Sequence, residues 1–350
     1  MLAAVSACGE GRKVTVIERN PYMGKKLNIT GKGRCNLTND CTVQEYLENV
    51  VTNPKFLLKA AYRFPPAKVM EFFTEAGVPL KTERGRRVFP QSDRAADITE
   101  CLCRLMSERG ADVIRGKAAA IETAEGRVCG VRIETKDGVR SAEADAVILC
   151  AGGMSYPGTG SDGSGYALAR ALGHSIVPPR ASLVPLVTRE SWPRELTGLS
   201  LKNVNVSFAD ESGVLFSEQG EMLFTHFGVS GPLVLSGSAH IKSFPCNMFI
   251  DMKPALDAET LDARILSDFG EFKNRHFINA LTKLLPKAMI PCVAALSGID
   301  AESALQKATE KFISRFSSME NAILQAGKRF QDLTLSEMDV YWEGSKKHPQ

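Results

Sequence analysis

Two hydrophobic rhythms alternate along the chain. Small apolar residues from Met1 to Ala7 predict a helix packed closely on a sheet, stopped by Gly9 and Gly11. Val14-Thr15-Val16-Ile17 is a short apolar run ending in Glu18 and predicts a strand. Between Val43 and Glu75 the spacing turns helical, with Leu57, Leu58 and Ala61, then Val69, Phe72 and Phe73, until Gly77 and Pro79 break it. Lys81 to Pro90 predicts a basic hairpin that gathers arginines, with a solvated turn as the other reading. Ala95 to Arg109 places Ile98, Leu102 and Leu105 on one helical face and ends at Gly110.

Residues 112–114, 118–123, 128–135 and 138–141 predict short strands, with Glu125-Gly126 and Asp137-Gly138 at the hairpin turns. Ala144 to Cys150 predicts a buried strand running into Ala151-Gly152-Gly153. A glycine-rich stretch to Gly165 and a helix from Tyr166 to Leu172 follow. Beyond Ser182, strands at 184–187, 204–208, 214–216 and 248–252 surround a distinctive loop, Gly220 to Pro232. From Ala258 to about Ala326 the pattern is helical, interrupted at Pro286, Pro291 and Gly298. The predicted organisation is an α/β domain over 1–181, a β-rich insertion over 182–257, a helical insertion over 258–335 and a polar tail over 336–350 that ends Lys346-Lys347-His348-Pro349-Gln350.

Charge and composition narrow the function classes. A net charge of +3 over 350 residues is too even to imply nucleic acid or an anionic membrane as a partner, so a small-molecule substrate is expected. No apolar run approaches the ~18–20 residues of a membrane span, and no signal peptide opens the chain. Nine scattered cysteines, without a C-x-x-C pair and without clustered histidines, read as reduced thiols in a cytoplasmic protein with no bound metal. Oligomeric state is left open.

The candidate chemistry starts at Glu18. Helix, strand and terminal acid, in that order, are the second half of a dinucleotide-binding βαβ unit, in which the acid accepts hydrogen bonds from ribose hydroxyls. Counting back about 20 residues puts the phosphate-loop glycines, and the first strand, before Met1. Gly24 to Asn39 then packs glycines, lysines and Arg34 into one loop, where backbone can approach a ligand and cations can meet an anion.

Four ordered motifs carry a family resemblance. Gly31-Lys32-Gly33-Arg34-Cys35-Asn36-Leu37-Thr38-Asn39, Gly85-Arg86-Arg87-Val88-Phe89-Pro90, Ala151-Gly152-Gly153 with Tyr156-Pro157 and Thr159-Gly160, and Phe224-Thr225-His226-Phe227-Gly228 with Ser230-Gly231-Pro232 stand in that order. Together they resemble the bacterial FAD-dependent oxidoreductases of the aminoacetone-oxidase-like and BaiN-like (bile-acid dehydro-reductase-like) type, from Met1 to about Leu296. The resemblance implies a two-dinucleotide-binding-type flavoprotein fold with a β-barrel-like and a helical insertion. Set against that fold, the sequence lacks the first strand and the C-terminal return to the FAD domain.

By the same resemblance, the cofactor is FAD, with NAD(P)H as a possible electron donor, and the reaction is hydride transfer between a nicotinamide or a small organic substrate and the flavin. Glu18 binds the adenosine ribose with Lys25 or Lys26 beside it. Arg34, Cys35, Asn36 and Leu37 lie along the pyrophosphate and flavin; Ala118 meets the adenine; Ala151, Gly152, Gly153, Thr159 and Gly160 line the dinucleotide. Catalytic residues stay unassigned, with Arg34 a candidate cation near the reduced ring and His226 a candidate acid or base. His226 reads, ahead of that role, as a loop histidine held by local hydrogen bonds. Two rival readings remain: a non-catalytic remnant with little or no FAD affinity, and a flavin disulfide reductase using Cys35 and Cys41, whose C-x5-C spacing is one residue longer than that of such enzymes.

Overall fold

The computed structural model describes all residues except Glu10, 273–274, 300–304, 329–332 and 346–350. The chain divides into two units, Met1–Arg180 and Ala181–Gln350.

In the first unit, α1 (Leu2–Ala7) leads to β1 (Thr15–Glu18). β2 (Thr38–Asn39), three short helices α2 (Val43–Glu48), α3 (Pro54–Arg63) and α4 (Pro66–Glu75), and the hairpin β3 (Leu80–Glu83) and β4 (Arg87–Pro90) follow. Next come α5 (Ala95–Glu108), β5 (Asp112–Arg115), the meander β6 (Lys117–Ala124), β7 (Arg127–Thr135) and β8 (Gly138–Glu143), and α6 (Ser164–Ala171). β1 and β5 pair in parallel, Thr15 with Asp112 through Glu18 with Arg115. A parallel pair needs a crossover, and the long helical excursion ending in α5 supplies it.

α5 is the core helix of this unit. Ala95, Ile98, Leu102 and Met106 recur at three- and four-residue spacing and are buried. Ile98 and Leu102 pack with Cys35, Phe73 and Val78, while Met106 meets Ala4, Val5 and Met23. One helix thus ties α1, α4 and the Gly24–Cys35 segment together. The β6–β7–β8 meander turns at Glu125-Gly126, both at positive φ (48° and 75°), which matches the twist of a two-residue hairpin.

Val147–Cys150 departs from expectation. No described strand pairs with it, and Ile148 and Leu149 are 64% and 41% exposed. An apolar run becomes a strand only beside another backbone that takes its N–H and C=O groups. Among the described residues no strand does so, and the predicted buried strand is an unpaired segment.

The second unit is built on a five-stranded antiparallel sheet. Its strands are β9 (Leu186–Val187), β10 (Ser200–Asp210), β11 (Gly213–Thr225), β12 (Gly228–Ser230) and β13 (Asn247–Asp251), in the order β13-β10-β11-β12-β9. α7 (Trp192–Glu195) and α8 (Pro232–Ser238) pack on it around Val206, Phe208, Met222, Phe224 and Val234. The expected Gly220–Pro232 loop is mostly strand: β11 runs through it, turns at His226-Phe227 and returns as β12. Gly228 and Gly231 sit where backbones pass closely and Gly220 lies against the Leu233 side chain, so glycine content misled the loop reading.

The helical part comprises α9 (Ala258–Glu271), α10 (Phe277–Ala280), α11 (Ile290–Ser297), α12 (Leu305–Gln325) and α13 (Leu335–Ser345). The region read as a polar tail contains α13, whose Met338, Tyr341 and Trp342 pack against Met319 and Ile323 of α12. A Thr334–Glu337 capping interaction starts that helix, a start signal the polar composition concealed. The Lys346–Gln350 end of the expected tail lies outside the described residues.

Candidate functional site

β1 ends at the carboxyl edge of a parallel pair, the place where α/β sheets bind ligands. There the Glu18 carboxylate is oriented by one neighbour. Its Oε1 accepts from the Asn20 backbone N–H at 2.7 Å and from Asn20 Nδ2 at 2.8 Å. Its Oε2 takes no hydrogen bond among the described residues. Asn20 Nδ2 also donates to the Thr159 carbonyl at 3.1 Å, and Arg19 Nη1 pairs with Asp162 at 2.8 Å. Asp162 is held far below the usual carboxylate range, first by Arg19 and then by the Ser164 hydroxyl and N–H.

The lysines close the same loop from the other side. Lys25 Nζ donates to the Gly158 carbonyl at 2.7 Å. Lys26 Nζ donates to the Ser155 carbonyl and hydroxyl at 3.0 and 2.8 Å and to Ser161 Oγ at 3.2 Å. Gly24, the residue before them, seats tightly on α5. At φ +70° Gly24 lies so near Thr99 that a Cβ would stand 2.6 Å from Thr99 Cγ2. Gly160, at φ +101°, leaves room for Asn20, since a Cβ there would lie 2.9 Å from Nδ2.

Glu18, Lys25, Lys26, Thr159 and Gly160, expected in one site, therefore converge on loop 155–162. Ala151-Gly152-Gly153 enters that loop, and the Gly153 carbonyl accepts from the Gly163 N–H at 3.0 Å, just ahead of α6. Ala118 sits on β6 opposite Ile133, half-buried. Asn20, Arg19, Ser155, Ser161 and Asp162 were missed by sequence reasoning. Only Asn20 carried a signal, an amide two residues beyond the strand acid.

The Gly31–Leu37 turn forms a second constellation. Gly31, Lys32, Gly33 and Cys35 all take positive φ, unusual for the lysine and the cysteine. The turn is held by Cys35 N–H to the Thr30 carbonyl (3.0 Å) and Leu37 N–H to the Val88 carbonyl (2.8 Å). Arg34 lies with its guanidinium 4.1 Å over the Phe89 ring. It bonds Asp93 Oδ1 at 2.7 Å and makes a close ion pair with Glu83. Lys81 bridges the same carboxylates, 2.6 Å from Asp93 and 3.6 Å from Glu83. Hydrogen bonds from Arg34 lower the Glu83 carboxyl, those from Lys81 and then Arg34 lower Asp93, and Glu83 and Asp93 raise Arg34 in turn.

Two positive and two negative groups close this quartet, so Arg34 does not present an unmatched cation to a ligand. Its side chain instead clamps the turn that carries Cys35, exposed Asn36 and half-buried Leu37 onto the β3–β4 hairpin.

Cys35 is buried and Cys41 half-buried, neither is in a disulfide, and burial pushes both thiols up. An attacking thiolate is favoured by the opposite shift. His226 stands on the exposed β11–β12 turn of the second unit, edge-on to Phe227 with ring centroids 4.8 Å apart. Beside it, Thr225 Oγ1 is buried with no hydrogen-bond partner among the described residues. No group of three or more His, Cys, Asp or Glu that could hold a metal occurs among those residues, and no described helix is long and apolar enough to cross a membrane.

The sequence matches the family described as HI0933-like protein Rossmann domain over residues 1–326. Over 308 residues it is 30% identical to the 3-dehydro-bile acid delta(4,6)-reductase of Clostridium scindens, spanning 85% of this chain and 72% of that protein. It is 30% identical over 292 residues to the ribosomal RNA dihydrouridine synthase of Haemophilus influenzae, spanning 80% and 67% respectively. The Escherichia coli protein of the same name is 27% identical over 302 residues, spanning 85% and 72%.

Proposed function

The chain belongs to the HI0933-like Rossmann family, a family of FAD-dependent oxidoreductases, and from that premise we propose that it delivers a hydride to a carbon–carbon double bond conjugated with a carbonyl. The two kinds of relative support this substrate class. A delta(4,6)-reductase acting on a 3-dehydro acid and a synthase making dihydrouridine both saturate a ring double bond in conjugation with a carbonyl. FAD supplies the hydride chemistry when bound, and NAD(P)H is the proposed source of reducing equivalents.

One observation carries the cofactor assignment: Glu18, aimed by Asn20 at the carboxyl end of β1, keeps Oε2 available for a vicinal diol. The donor set fits the rest of a dinucleotide. Lys25 and Lys26 now hold loop carbonyls and hydroxyls that a pyrophosphate oxygen can replace, and Ala151-Gly152-Gly153 allows close backbone approach. Arg34 is assigned as a positioning residue that fixes the Cys35–Leu37 backbone. Nine scattered cysteines without a C-x-x-C pair support a reducing, cytoplasmic compartment as part of this reading.

The test is a visible spectrum of the purified chain before and after incubation with FAD. Bands near ~450 nm that survive gel filtration, bleach anaerobically with NADH or NADPH and return on adding a cyclic enone or oligouridine support the reading. A chain that stays colourless in excess FAD overturns it in favour of a non-catalytic remnant.

A further inference from the structure

The even charge of the whole chain conceals a strongly uneven distribution. From Asn49 to Met70 there are four cations, Lys55, Lys59, Arg63 and Lys68, and no carboxylate, a local surplus larger than the +3 of all 350 residues. Three of these cations lie on α3, and none of them forms an ion pair among the described residues. α3 is also sparsely covered. Only Ala61 is fully buried, with Pro54 and Leu57 half-buried on the same side. Phe56, Tyr62 and Leu58 are 86%, 63% and 47% exposed.

Going round the outer side of the helix at 3.6 residues per turn, the order is Leu58, Tyr62, Lys55, Lys59, Arg63, Phe56. The cations form a central stripe and the rings flank it. A helix that lies in a membrane surface segregates its apolar side chains from its charges, which this one does not. Cations interleaved with exposed aromatic rings suit a single-stranded nucleic acid, whose phosphates meet the stripe while its bases stack on the rings. The geometry points to α3 as a docking surface for single-stranded RNA that carries the uracil to be reduced. This rests on the double-bond reductase reading above and names one substrate class within it.

The test reads binding and turnover separately. Fluorescence anisotropy of a labelled 12-nucleotide oligouridine is measured against the FAD-loaded chain, the Lys55→Glu/Lys59→Glu variant and the Phe56→Ala/Tyr62→Ala variant. Far-UV dichroism and retention of FAD show that each variant is folded. The parent binds with an affinity that falls as salt rises, by a log–log slope of about −0.7 for each phosphate contact. The charge variant loses most of that slope, and the ring variant weakens binding by about tenfold or more, while both still reduce a small cyclic enone at the parent rate. Equal RNA affinity in all three proteins overturns the proposal, as does binding to phosphatidylserine vesicles without binding to RNA. Failure of the enone assay in the parent, with RNA binding intact, refutes the reductase reading and leaves the docking surface standing.

Discussion

Removing the Asn20 side chain isolates the step from local structure to cofactor affinity. Asn20→Ala deletes the 2.8 Å bond to Glu18 Oε1 and the 3.1 Å bond to the Thr159 carbonyl, and leaves the 2.7 Å backbone bond to Oε1 in place. A hydrogen bond to a charged acceptor is worth ~1.5–3 kcal/mol and a neutral one ~0.5–1.5. Both residues are half-buried and the surviving N–H still orients the carboxylate, so the low end applies, about 1–2 kcal/mol. FAD affinity then falls roughly 5- to 30-fold. Titration by quenching of flavin fluorescence measures it, in a cycle with Glu18→Ala and the double variant. Because Asn20 works mainly through Glu18, its loss in the Glu18→Ala background costs little more than the Thr159 bond. Full additivity refutes the argument, and so does an Asn20→Ala protein that binds FAD like the parent.

Three further outcomes follow from the same geometry. Gly160→Ala, which strains a +101° φ and presses on Asn20 Nδ2, abolishes FAD binding while circular dichroism stays that of the parent. Ile98→Ala, emptying a fully buried site between α4, α5 and the Gly24–Cys35 segment, lowers stability by about 2–5 kcal/mol in urea unfolding of the first unit. Arg34→Met lowers the melting temperature at pH 7, and the pH dependence has a definite sign. Glu83 and Asp93 are depressed below their ordinary 4.5 and 3.8, so their stabilisation is complete above those values and disappears as pH falls through the depressed ones. The gap between parent and Arg34→Met, read by differential scanning fluorimetry, therefore closes below about pH 4; a gap as wide at pH 3 as at pH 7 contradicts it.

What sequence could reveal depended on how far apart the interacting residues lie. α5 was legible because its buried positions recur within the helix, and the β6–β7 turn because Glu125-Gly126 encodes its own dihedral angles. Glu18 was legible because an acid at a strand end is a local pattern. Its alignment was less so. Asn20 gives the carboxylate its direction from two residues away, but the loop that in turn fixes Asn20 lies 139 residues further on. Arg34 shows the same limit more sharply. A guanidinium in a glycine-rich turn reads as a ligand for an anion, and the two carboxylates that neutralise it stand 49 and 59 residues downstream.

Val147–Cys150 is the instructive case for strands. Its apolar run states that the segment can be covered, whereas strand formation requires a second backbone at hydrogen-bonding distance, which composition does not encode. β1 did become a strand from an equally short run because β5 lies beside it. α3 repeats the lesson in a helix. Its intrinsic pattern is helical, yet its outer arc of Lys55, Phe56, Lys59, Tyr62 and Arg63 faces no described element. Periodicity identifies a face; only the folded neighbours decide whether that face becomes core or stays available to a partner.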